Sequence, residues 1–72
     1  MHMDFVVVIE RADDSSSSSY VPDLPGCVSC GDRPDEARTL IREAVALHIE
    51  CLRQHGDKVP TPQAMTDVVR AA

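Results

Sequence analysis

Seventy-two residues hold one domain, spanning 1–72, and a chain this short buries only about 60% of the surface its unfolded form exposes. Twelve acidic residues against seven basic ones give a net charge of −5, which works against phosphate-tracking contacts, and Phe5 and Tyr20 are too few aromatics for a base-stacking platform. No direct nucleic-acid partner is therefore expected. Three cysteines, an odd number, argue against a disulfide framework, and no apolar run approaches the ~18 residues of a membrane span.

The longest apolar run is Phe5-Val6-Val7-Val8-Ile9, closed by Asp4 and Glu10, which is too short and too acidic at its ends for a signal peptide. The expected location is the cytoplasm. Residues 4–10 read as a strand. Phe5, Val7 and Ile9 share one face by period two, and Val6 and Val8 share the other. Both faces are apolar, which suits a central strand or one covered by a second protomer. With so small a core, a homo-oligomer is expected, a dimer or a tetramer.

Arg11 to Asp14 is turn-prone, and five serines follow at Ser15–Ser19. A hairpin loop is expected from Asp13 to about Ser16. The later serines then enter a frayed second strand running towards Tyr20-Val21. Pro22-Asp23-Leu24-Pro25-Gly26 is turn chemistry: two prolines fix φ, and Gly26 permits a positive φ. A short third strand should run from Cys27 to about Cys30 and end at Gly31-Asp32.

From Pro34 to His55 the period becomes helical. Proline suits the first helical position, Asp35 and Glu36 complement the N-terminal dipole, Arg53 complements the C-terminal one, and Gly56 is a natural stop. Ala37, Leu40, Ile41, Ala44, Val45, Leu47, Cys51 and Leu52 fall in one stripe with His48 near its middle, and Ile49 lies outside it. Beyond the extended Val59-Pro60-Thr61-Pro62 connector, Met65–Val69 is ambiguous and is taken as a short fourth strand. The expected order is β-β-β-α-β, an α+β fold with one long helix packed across a small antiparallel sheet.

Candidate chemistry is thin. Cys27-Val28-Ser29-Cys30 is a C-x-x-C, but in a strand its two thiols point to opposite faces with Cα atoms about 10 Å apart, too far for a disulfide. A zinc site would have to recruit Cys51, His48, His2 or His55, and only one strand cysteine can face that helix. The plainer reading makes Cys27 and Cys51 small core hydrophobes and His48 a core-edge histidine. Asp4, Glu10, Asp23 and Asp32 are scattered acids with no spacing that demands a Mg²⁺ ion. The residues themselves point to an interaction domain with no catalytic residues, no cofactor and no metal.

Tyr20-Val21-Pro22-Asp23-Leu24-Pro25-Gly26-Cys27-Val28 is followed by Gly31-Asp32-x-Pro34-Asp35-Glu36-Ala37. Then come Ile41-Arg42-Glu43-Ala44, His48, Leu52, Gly56 and Val59-Pro60-x-Pro62. In order and spacing these blocks resemble the HicB-like antitoxin domain, formerly the UPF0150 group. The structural motif is Pro22, Asp23, Leu24, Pro25, Gly26, Cys27, Gly31 and Pro34. The resemblance implies a degraded ribonuclease-H-like fold that lacks the nuclease's catalytic acids. It also implies a non-enzymatic antitoxin that binds and occludes HicA, a small RNA-cleaving toxin. Negative charge suits a basic partner, and Asp13, Asp14, Tyr20 and Asp23 are the expected partner-binding residues, with the serine-weakened second strand as the exposed edge. Two departures stand out. Arg33 replaces the family's Thr or Ser before Pro34, and no C-terminal DNA-binding domain fits before Ala72. The alternatives are a stand-alone oligomeric domain without a toxin and a small metal-dependent hydrolase-like protein.

Overall fold

The structure, a computed structural model, describes residues 3–72. Its elements are β1 (Val8–Arg11), β2 (Ser17–Tyr20), β3 (Val28–Gly31) and α1 (Pro34–Gln54). The strands form one antiparallel sheet in the order β1-β2-β3, and α1 packs mainly on β3 and β2 and least on β1. This is the expected α+β layer.

Register fixes which side chains meet the helix. Val8 pairs with Tyr20, and Tyr20 with Val28; one step on, Ile9, Ser19 and Ser29 form the next row. Ser17 and Ser19 are buried under α1, whereas Ser18 and Tyr20 face outward. The small side chains let the helix come close. Ser19 Oγ lies 3.5 Å from the Ala37 carbonyl, and a Cβ added to Gly31 would meet the Ala37 nitrogen at 3.1 Å. The serine run thus forms the seat of the helix.

β2 is the central strand. Of the two readings of the valine-rich first strand, the central one does not hold, and the serine-rich second strand is not the exposed edge that was expected. Two tight connections explain this. The 12–16 loop closes with Ala12 N–H donating to Ser16 O at 2.8 Å, and the 21–27 turn with Val21 N–H donating to Cys27 O at 3.2 Å. Consecutive strands joined this tightly lie side by side, so the middle one gains a neighbour on each flank. β1 also starts later than expected, because β2 turns away after Tyr20 and residues 5–7 run on outside the ladder.

The 21–27 connection supplies much of the core. Val21, Leu24 and Cys27 are buried together with Ile41 of α1, and Phe5, Val7, Ala44, Val45 and Ile49 pack around them. Gly26 adopts a φ of +84°, the left-handed region that the turn requires. A helix of 21 residues is about 32 Å long against about 13 Å for a four-residue strand, so α1 overhangs the sheet. The turn fills the space beneath the overhang. The helix is rolled so that Val45 and Ile49, one turn apart, face inward. Leu47, expected in the buried stripe, is therefore 66% exposed, and Ile49 is half-buried. Cys51, expected as a core residue, is exposed on the overhanging end.

Arg33 occupies the N-cap with no side-chain hydrogen bond, so the helix start lacks the cap that a Thr or Ser there would supply. Asp35 Oδ1 instead accepts the Glu36 N–H at 3.0 Å. The C-terminus is closed by a Schellman motif: Asp57 N–H donates to Leu52 O, Gly56 N–H donates to Arg53 O, and Gly56 has a φ of +73°. Beyond it the chain is extended to Ala72. The fourth strand expected at 65–69 does not form, because this segment meets no sheet edge to pair with. Met65, Val68 and Val69 are 92%, 91% and 86% exposed.

Candidate functional site

One face of the sheet carries α1 and the other is open. Along the open face the register lines up Val8, Tyr20 and Val28, with Glu10, Ser18 and Cys30 in the adjacent row. Tyr20 is 39% exposed and Val28 65%. Tyr20 is therefore the middle of an apolar row across all three strands, a position suited to a partner's apolar side chains. The outer edges of β1 and β3 are the ones that offer unpaired backbone groups.

Asp13 and Asp14 are exposed in the hairpin loop. Asp14 Oδ1 accepts the Ser16 hydroxyl at 2.6 Å and the Ser16 N–H at 3.0 Å, while Ser15 takes the left-handed conformation at φ +73°. The Ser16 hydroxyl first, and then its N–H, hold the Asp14 carboxyl below its ordinary range, so the loop keeps that charge to lower pH. The loop is at the Arg11–Ser17 end of the sheet and Tyr20 at the other, about 10 Å along β2.

Asp23 lies at the Tyr20 end, and its carboxylate is engaged. Asp23 Oδ2 accepts the N–H groups of Gln63 at 3.1 Å and Ala64 at 3.0 Å, pinning the chain beyond the helix to the 21–27 turn. The four expected partner-binding residues thus divide into an acidic loop at one end and an aromatic with an anchoring acid at the other. The anchoring role was not foreseen. Its signal was an aspartate between two prolines, a common acceptor for stray backbone donors.

The cysteines are separate. Cys27 is buried, and desolvation pushes its thiol up, whereas Cys30 lies on the open face and Cys51 on the helix overhang, all three free. His48 is half-buried on α1, and His55 Nδ1 lies 2.7 Å from the Cys51 carbonyl. Among the described residues, no three His, Cys, Asp or Glu side chains gather as a metal-binding group, and His2 lies outside those residues. No helix among them is long and apolar enough to cross a membrane.

A family model described as "HicB_like antitoxin of bacterial toxin-antitoxin system" matches residues 5–72. A UPF0150 protein of Thermoplasma acidophilum is 36% identical over 69 residues, covering 96% of this chain and 100% of the relative. A UPF0150 protein of Archaeoglobus fulgidus is 38% identical over 55 residues, covering 76% of this chain and 80% of that one. An uncharacterized 14.9 kDa protein of Haemophilus phage HP1 is 38% identical over 56 residues, 78% of this chain and 41% of the phage protein. No solved structure matches significantly.

Proposed function

The chain belongs to the HicB-like antitoxin family, and from that premise we propose that it neutralises a HicA-type RNA-cleaving toxin by binding and occluding it, without chemistry of its own. The family match over residues 5–72 is the observation that carries this reading. In it, the α+β layer is a ribonuclease-H-like scaffold without a nuclease site. A net charge of −5 supports a basic protein partner and opposes direct contact with RNA. The toxin meets the open sheet face around Tyr20 and Val28 and the outer edge of β3, where backbone groups are free for an added strand. Its place of action is the cytoplasm, where messenger RNA is cut.

Asp13 and Asp14 have a kinetic role in this proposal. They lie at the far end of the sheet from Tyr20, so they steer the encounter without joining its apolar contact. Charges outside the buried contact change association rate and its salt dependence more than dissociation. Surface-binding kinetics with a HicA-type toxin at two salt concentrations test this. The double variant Asp13→Asn, Asp14→Asn is expected to associate about 3- to 10-fold more slowly at low salt, with dissociation unchanged. An unchanged association rate would leave the loop with no role in binding.

A further inference from the structure

Phe5 to Ile9, the run that leads into β1, is apolar on both faces at a sheet edge that none of the described residues pairs with. On the helix side, Phe5, Val7 and Ile9 together with Ile41 and Val45 line an open groove of about 490 Å³, with Arg38 and Arg42 on its helix wall and Asp4 at its strand wall. On the open face lie Val6 and Val8. Residues 5–7 continue the line of β1 without a ladder partner.

Elsewhere in the same chain is a segment with matching chemistry. Met65-Thr66-Asp67-Val68-Val69-Arg70 is extended, unpaired and nearly fully exposed, with Met65 at 92%, Val68 at 91% and Val69 at 86%. By period two, Met65, Asp67 and Val69 share one face, and Thr66, Val68 and Arg70 the other. The segment thus presents Met65 and Val69 on one face and Val68 on the other, apolar residues for both sides of the β1 edge. Six extended residues span about 20 Å, the length of the line from Asp4 to Ile9. The charges are complementary as well: Asp67, on the groove-facing side, matches Arg38 and Arg42 on the helix wall. Asp23 pins Gln63 and Ala64, so the segment leaves the domain from a fixed point, and none of it enters its own groove.

We propose that residues 65–70 form the missing edge strand on β1 of a second copy of this chain, exchanged reciprocally in a two-fold dimer. Met65 and Val69 enter the groove beside Phe5, Val7 and Ile9, and Val68 packs on the open face beside Val6 and Val8. Each copy gives one segment and receives one, so both open edges and both exposed segments are satisfied in a closed assembly. The occupant is a second copy because the segment is held away from its own groove while carrying the charge and the two-sided apolar pattern that the groove lacks. The β3 edge stays free for another partner.

Light scattering at tens of micromolar tests this directly. The 72-residue chain is expected to show twice its 7.9 kDa mass. The double variant Val68→Asp, Val69→Asp is expected to return to 7.9 kDa with an unchanged circular dichroism spectrum, since both side chains are outside the core of a single copy. A peptide of residues 64–72 added to that variant is expected to shift the backbone amide resonances of Phe5 to Ile9. A monomeric unaltered chain, whether its segment is free or folded onto its own edge, would overturn the proposal. So would a dimer that survives the double substitution.

Discussion

Ser17 carries a hydroxyl buried beneath α1 with no hydrogen-bond partner among the described residues, in a strand whose outward neighbours are solvated. Burying an unsatisfied hydroxyl costs about 1–3 kcal/mol, more than a serine-to-alanine change loses in packing at this site. Ser17→Ala is therefore expected to raise stability by about 1 kcal/mol, read as a higher urea midpoint at unchanged slope. A lower midpoint would show that the hydroxyl is satisfied in solution. The same residue marks where the sequence was hard to read. A run of serines looks like a flexible loop, and it takes the alternation of Ser17 and Ser19 against Ala37 and Gly31 to make it a packed strand. Cys27 was legible as a small core residue, since it follows the Leu24-Pro25-Gly26 turn into the third strand. Cys51 was not, since its periodicity is right but the helix outruns the sheet that would have covered it.

At the scale of elements, α1 has a well-built end and a poor one. The Schellman closure at Gly56 satisfies C-terminal carbonyls, whereas the Arg33 side chain at the N-cap accepts no N-terminal N–H and Asp35 accepts only that of Glu36. Arg33→Thr is expected to stabilise the protein by about 1 kcal/mol, raising the melting temperature by about 4–8 °C for a domain of this size. An unchanged melting temperature would mean that Asp35, already bonded to the Glu36 N–H, satisfies that end sufficiently. The helix bounds were legible to within a residue, since Pro34, the acidic first turn and Gly56 punctuate a clear period. The strand order was less so. Apolar faces on Phe5–Ile9 suited either a central strand or one covered by a second protomer, and two tight connections make the second strand of a meander the central one whatever its composition. The segment at 65–69 has the residues of a strand but lies along neither open edge of its own domain, which local sequence cannot register.

For the whole molecule, the sequence blocks from Tyr20 to Pro62 were enough to point to the family, and the match over residues 5–72 agrees with them. What the molecule offers a partner was only partly readable. The acidic loop at Asp13 and Asp14 is exposed as expected, but Asp23 is engaged with the backbone of Gln63 and Ala64, and the edges lie at β1 and β3. Sheet order, which sequence spacing leaves open, decides which surfaces remain. The proposed occlusion would need surface and charge and no reactive group, so the most direct test is inhibition itself. RNA cleavage by a purified HicA-type toxin should be followed while this protein is added in increasing amounts. Cleavage is expected to fall to background at a stoichiometric ratio and to be unaffected by excess RNA once the complex has formed. Undiminished cleavage at a several-fold excess, with no complex detected, would contradict the antitoxin function.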